Sequence, residues 1–423
     1  MMNKKAILST VISTALLLTA CGTVKAPTKK GEPEPEKITA SFGKEDYLNL
    51  SGPTNDLGMN LVPKAKPDDN GNVFVSPVSL LMALSMLQNG AEGQTKEEII
   101  KAMQATGMDA ESINRANASL LNHIQHSADD LTLQTANSIW VNDQYTLQDK
   151  FKKITHDYYL AEAEAIDSSN PKSADRMNEW VQKATNNKIG EIVQSPLDDS
   201  LVLFLLNAVY FKASWTYPFD ESLTKNDEFQ LTDGSVTEVP FMQLNEELPY
   251  LETEQFQAVS LPYGEQGNMK MDIYVPKEGH SIDGVLSSWT AENRENWNDS
   301  FEGRPGSVRL PKFQLDYEVL LNDVLQELGM EKAFSDDAEL GTLVEEEKER
   351  LVVSKVLQKT YLSVDEKGTE AAGVTSIAID TTSAPAGEPF EFNADKPFFL
   401  TIRDQKADIL LFAGKISNPA SNN

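Results

Sequence analysis

What the chain has little of sets the first bounds. One cysteine in 423 residues excludes a disulfide framework and any zinc or iron–sulfur site built from several cysteines. Four histidines, His123, His126, His156 and His280, are too few for a histidine-rich centre. The first two stand three apart and read as a surface pair on one helical face rather than as metal ligands. Positive charge is scarce as well: 37 Lys and Arg against 65 Asp and Glu leave a formal charge of −28. Neutralising phosphates needs clustered cations, so nucleic acid is excluded as a partner. Missing too are a Gly-x-Ser-x-Gly elbow, a P-loop and a His-Glu-x-x-His sequence, so nothing marks an enzyme. No metal and no cofactor are expected. What remains, 40% hydrophobic and 24% charged, is an ordinary globular composition with ample chain to bury a core.

The N-terminus reads as an address. Lys4 and Lys5 precede an apolar stretch from Ala6 to Leu18, about the length of a signal peptide and too short for a comfortable membrane span. Leu18-Thr-Ala-Cys21 then resembles a bacterial lipobox, in which the cysteine is lipidated; the alternative is an ordinary cleaved signal. The expected division is a lipoprotein signal peptide over 1–20, a lipidated Cys21 with a flexible Pro-rich tether over 21–45, and one folded domain over 46–423. That makes the protein exported, anchored to the outer face of the cell membrane or to a periplasmic or outer membrane, with its domain outside the cytoplasm. A strongly acidic surface repels anionic headgroups, which makes a covalent lipid a useful anchor.

Along the domain, helical and strand signals mix without a βαβ rhythm, which favours α+β. Ser76-Pro77, the run Val78 to Leu87 and Asn89-Gly90 supply a cap, a first-turn proline and a terminal glycine. This helix is apolar nearly all round and should cross the core. Thr95 to Met103 predicts a surface helix, and Ser173 to Asn187 and Tyr317 to Leu328 have helical spacing. Leu201 to Phe211 predicts a strand buried on both faces, whose interior Asn207 must find partners. Met269 to Val275 predicts another strand, and Pro397 to Arg403 with Asp408 to Ala413 a closing hairpin.

Val353 to Val364 alternates as a half-buried strand does, and the residues after it are unusual for a loop. From Thr369 by twos, one face is Thr369, Ala371, Gly373, Thr375, Ile377 and Ile379. The other is Glu370, Ala372, Val374, Ser376, Ala378 and Asp380. There is no proline before Pro385, so the segment can form a strand. A plain amphipathic strand with a glycine-bearing start is the simpler reading of that pattern.

Seven short motifs, in order, resemble the serpin family. They are Asn72-Val-Phe-Val-Ser-Pro-Val-Ser79; Leu206-Asn-Ala-Val-Tyr-Phe-Lys212 with Trp215; Val239-Pro-Phe-Met242; Leu310-Pro-Lys-Phe313; Asp365-Glu-Lys-Gly-Thr-Glu-Ala-Ala-Gly373; Asp395-Lys-Pro-Phe398; and Phe412-Ala-Gly414 with Pro419. The resemblance spans about Leu48 to Pro419, and with the lipobox it is similar to a bacterial, membrane-tethered member. It implies a single-domain α+β fold with three β-sheets, surrounding helices and an exposed reactive-centre loop at about 366–390. It also implies a protease inhibitor that acts as a suicide substrate, trapping a serine or a cysteine protease as an acyl-enzyme when the cleaved loop inserts into the central sheet.

By the family's spacing the hinge is Glu366, Gly368, Thr369, Glu370, Ala371, Ala372 and Gly373. The reactive bond is Thr382–Ser383, with Asp380 as the alternative P1 and Ile379 and Ala384 as lesser candidates. A small β-branched P1 suits elastase-like or subtilisin-like proteases. The polar shutter maps to Ser76, Ser79 and Asn207, with Gln358 where the family usually has histidine, and the breach tryptophan to Trp215. Asp109 to Ser119 carries no run of Lys or Arg, so no heparin-type cofactor is expected, and the protein should be a monomer. Two alternatives stand beside this reading: a serpin fold that binds without inhibiting, and a solute-binding lipoprotein.

Overall fold

The computed structural model describes residues 37–126, 131–198, 200–346, 351–369 and 388–420. Among them fifteen strands follow in chain order. They are β1 (Val73–Val75), β2 (Leu131–Asn142), β3 (Glu162–Ile166), β4 (Leu203–Ser214), β5 (Lys225–Gln230), β6 (Val236–Glu252), β7 (Phe256–Tyr263) and β8 (Met269–Pro276). There follow β9 (Glu302–Pro311), β10 (Phe313–Leu320), β11 (Val353–Asp365), β12 (Gly368–Thr369), β13 (Phe390–Asn393), β14 (Phe398–Asp404) and β15 (Ile409–Ile416).

The central sheet has the order β10-β11-β12-β4-β2-β3. Its middle strand β4 is the long apolar run seen in the sequence, and its alternation divides the interior in two. Phe204, Leu206, Ala208 and Tyr210 pack with Met177 and Val181 of the helix Pro171–Ala184. Leu203, Leu205, Val209 and Phe211 face the main core, with Val78, Leu81 and Met82 of the helix Pro77–Leu87. Both faces are therefore dry, which is why polar residues are so rare along this strand.

The remaining strands form one hydrogen-bonded path, β1-β15-β14-β8-β7-β6-β9-β13, with β5 on β6. Two sheets share it, because the 17-residue β6 runs through both. Its first residues pair with β5, its middle with β9, and its last, Tyr250 to Glu252, with β7. The three sheets implied by the sequence are thus the central one and two joined along β6.

Most helices and strands lie where periodicity put them, with one correction. Tyr317 to Leu328 is not a single helix: Tyr317 to Leu320 ends β10, and only Asn322–Glu327 is helical. Its apolar residues fit both periods, and the strict alternation of buried Phe313, Leu315, Tyr317 and Val319 decides for a strand. Residues 38–43 fall in the stretch read as tether, yet Ala40 N donates to Asp157 O at 3.2 Å and Ile38 packs against the core.

Candidate functional site

In the middle of the central sheet, β4 and β11 run parallel and pair directly from Leu203 with Val353 to Tyr210 with Tyr361. Above that seam they part, and β12 lies between them, antiparallel to both. Gly368 stands opposite Asp365 and Ser214, and Thr369 opposite Val364 and Ala213. The reversal into β12 is an Asp-stabilised turn: Asp365 Oδ1 accepts from Lys367 N at 2.9 Å and from Gly368 N at 3.2 Å. Position 368 has to be glycine, because a Cβ there would lie 2.2 Å from the Ala213 carbonyl oxygen.

The side chains of Trp215, Tyr263, Lys312 and Thr224 brace this turn. Trp215 Nε1 donates to the Asp365 carbonyl at 2.9 Å, and its backbone N–H to the Lys367 carbonyl at 2.9 Å. Tyr263 stacks on Trp215 at 4.4 Å between ring centroids, and its hydroxyl lies 2.7 Å from Oγ1 of the fully buried Thr369. Glu366 is held by Lys312 Nζ at 2.8 Å and by Thr224 Oγ1 at 2.9 Å. Burial pushes the Glu366 carboxyl up, but hydrogen bonds from Lys312, its own backbone N–H and Thr224, with the Lys312 charge, outweigh it and hold the group below its ordinary value.

Midway down the seam a row of polar residues crosses three strands: Asn137 on β2, Asn207 on β4 and Gln358 on β11, each opposite the next. Gln358 Nε2 donates to Asn207 Oδ1 at 2.6 Å and to the Ser76 carbonyl at 3.0 Å, while its Oε1 accepts from Ser76 N at 2.9 Å. Asn207 Nδ2 donates to Ser79 Oγ and, at 2.5 Å, to Asn137 Oδ1. All of these residues are buried, so the row satisfies groups that would otherwise be orphaned. Ser76 holds the N-cap position of its helix but does not cap it with its side chain; its Oγ donates to the Leu411 carbonyl on β15 at 2.8 Å. Over the outer face of the seam, Lys359 Nζ donates to the Glu191 carbonyl at 2.9 Å, tying down the segment that follows the helix Pro171–Ala184.

The structure thus brings Ser76, Ser79, Asn207 and Gln358 into one network, and Trp215, Glu366, Gly368 and Thr369 into a second at the top of the same seam. Cys21, Glu370, Ala371, Ala372, Gly373, Ile379, Asp380, Thr382, Ser383 and Ala384 lie outside the described residues. His123 bonds Asp404 at 2.6 Å, and His126 bonds its own helix at Asn122 O, 2.7 Å away; both line one cleft. Sequence reasoning did not single out Tyr263, Lys312, Thr224 or Asn137. Lys312 and Tyr263 each sit in a short Leu-Pro motif, Leu310-Pro-Lys-Phe313 and Leu261-Pro-Tyr-Gly264, and those motifs were the available signal.

Residues 53–419 match the family model described as "Serpin (serine protease inhibitor)". The chain belongs to the serpin family. A serpin-like protein of Thermococcus kodakarensis is 37% identical over 358 residues, covering 83% of this chain and 82% of that one. Serine protease inhibitor 42Dd of Drosophila melanogaster is 33% identical over 359 residues, covering 84% and 93%. Among solved structures, the thermophilic serpin tengpin in its native state superposes with a TM-score of 0.78 at 28% identity, covering 92% of this chain and 97% of that one. Protease inhibition is the general activity of serpins, and the two polar networks of this serpin lie along the buried strand β4 of its central sheet.

Proposed function

We propose that this serpin inhibits its target as a suicide substrate, with the strand-forming segment after Thr369 as bait. The observation that carries the reading is β12, two residues already paired on both sides at the top of a seam that is closed below. Continued in the same antiparallel register, the chain would set Thr375 between Asn207 and Gln358, and Ile377 between Leu205 and Val356. The inward face read from the sequence, Thr369 to Ile379 by twos, would then meet the main core, with its one mid-face hydroxyl at the polar row. Insertion would exchange one parallel ladder for two antiparallel ones, a gain in paired backbone.

The chemistry belongs to the protease. Its nucleophile attacks the Thr382 carbonyl carbon, the Thr382–Ser383 bond breaks, and Ser383 leaves as a protonated amine with residues 383–423. The acyl group stays on the protease. If insertion carries that protease away before water attacks the ester, the complex persists; if not, the product is cleaved serpin. Small P1 residues direct the bait to elastase-like or subtilisin-like pockets, and Asp380 would direct it to an acid-preferring one. Lipidation of Cys21 would hold the domain at an outer membrane surface, where such proteases are met.

The test is to mix the purified protein with elastase-like and subtilisin-like proteases, run denaturing gels, and weigh the released C-terminal peptide. A covalent complex and a peptide beginning at Ser383 are expected. Cleavage without complex against every protease class would leave a binding serpin instead.

A further inference from the structure

Away from the central sheet, a second polar row crosses buried strands. Ser260 on β7, Asp272 on β8 and Thr401 on β14 stand opposite one another, and they are 1%, 0% and 3% exposed. Asp272 Oδ2 accepts from Arg403 Nε at 2.6 Å. Asp272 Oδ1, Ser260 Oγ and Thr401 Oγ1 have no hydrogen-bond partner among the described residues. The helix Ala291–Asp299 packs over this face, with Trp297 against Tyr274 at 5.7 Å. Its Arg294 sends both Nη atoms to the Asp408 carboxylate, at 2.8 and 2.9 Å. The buried Nε of the same side chain is left without a partner among the described residues.

Between this helix and β14 lies a small cavity, lined by Arg294, Tyr274, Thr401 and Arg403 and closed by the apolar Trp289 and Leu410. It leaves about 10 Å³ for the centre of a water molecule, and one water takes up ~10–15 Å³ on that scale. Asn55, also in the wall, is already engaged: its Nδ2 donates to the Asp408 carbonyl at 2.7 Å, and its Oδ1 accepts from Leu410 N at 2.9 Å. The Tyr274 hydroxyl shows how closely the remaining groups converge. Burial pushes it far above its ordinary value and the Asp272 charge adds to that, while Arg403, Arg294 and the Thr401 hydroxyl all act on it in the opposite sense.

We propose that this cavity is a binding site for one ordered water molecule, which accepts from Arg294 Nε and donates to Thr401 Oγ1. A buried donor and a buried acceptor that no protein group reaches border one space, and that space has the size of a single water. One molecule there satisfies both. Organic ligands exceed the volume. A metal cation would stand beside two guanidinium groups, and a halide beside the Asp408 and Asp272 carboxylates. The water gives the helix a second hold on the closing hairpin. Arg294 grips the turn between β14 and β15 directly at Asp408, and it reaches Thr401 on β14 through the water. This assignment does not depend on inhibition.

A high-resolution crystal structure of the protein tests the site. Density for a water within hydrogen-bond distance of both Arg294 Nε and Thr401 Oγ1 is expected. A cavity without that density, or a Thr401 hydroxyl bonded directly to Tyr274 or Arg294, overturns the proposal. In solution, oxygen-17 relaxation dispersion counts long-lived internal waters. Thr401→Val, close in shape but without the hydroxyl, should hold one fewer than the parent and unfold at a lower urea concentration. In a dry cavity, losing an unbonded buried hydroxyl would leave stability unchanged or raise it, and the two water counts would agree; either result sinks the idea. Should Thr401→Val fail to fold, the crystal structure of the parent decides alone.

Discussion

Gln358 shows most clearly what a single residue contributes. Its amide donates twice and accepts once. Gln358→Ala would leave Ser76 N–H and Asn207 Oδ1 short of partners in a fully buried site, a loss of about 2–4 kcal/mol. A lower midpoint in urea with an unchanged slope is the expected result. Glu366 adds a pH dependence. Its folded carboxyl lies below the ordinary value of 4.5, so its contribution is complete above that pH and is lost as pH falls through the lower folded value. Lys312 is partly exposed, so about 1–2 kcal/mol is the scale expected. Glu366→Gln should be less stable than the parent at pH 7, and the gap should close in acid. A gap that is constant from pH 7 to pH 3 would show that the charge on Glu366 does not matter.

At the scale of elements, β12 is the sensitive piece. Thr369 is fully buried between Val364 and Ala213, and an arginine cannot lie there without burying an unpaired charge. Thr369→Arg should still be cut by the protease but give cleaved serpin in place of complex, read on the same gels. Gly368→Ala should fail in the same way through the backbone, since its methyl would meet the Ala213 carbonyl. Both outcomes concern an element of two residues, and nothing in the local pattern of Gly368-Thr369 announces a strand. β4 and the helix Pro77–Leu87 were legible because each declares its burial in its own composition. β10 was misread because its apolar residues suit two periods at once. Tyr263 was invisible as a partner of Thr369 because 106 positions separate them, and only folding of the sheet brings them within reach. The family resemblance grouped Gln358 with Asn207, Ser76 and Ser79, but the row across β2, β4 and β11, with Asn137 at its end, needed the strand register.

For the whole molecule, the reading demands that the closed seam is not the most stable arrangement of the chain. A protease that cuts the loop without being trapped should convert the protein to a form that melts far higher, because the freed segment can pair along both β4 and β11. Scanning calorimetry before and after cleavage measures this. Equal melting temperatures would mean that the loop stays outside the sheet, and the suicide mechanism would fall with it.

The bond from Ser76 to Leu411 carries one more consequence. β1 is closed by β15, with Val73 opposite Lys415, and the side chains of Asn72 and Ser76 are both tied to the last strand or the residues just after it. A chain made N-terminus first therefore delivers the proposed bait before it delivers the pieces that lock the helix beneath the seam. During that interval β4 and β11 are complete, the segment after Thr369 is at hand, and the restraint on Ser76 and through it on Gln358 is missing. If that segment can insert as proposed, the final hairpin has to dock faster than the chain can fill its own sheet. On that mechanism maturation becomes a race decided by the closing strands, and slow arrival of β14 and β15 would leave the protein without its bait although no protease had ever touched it.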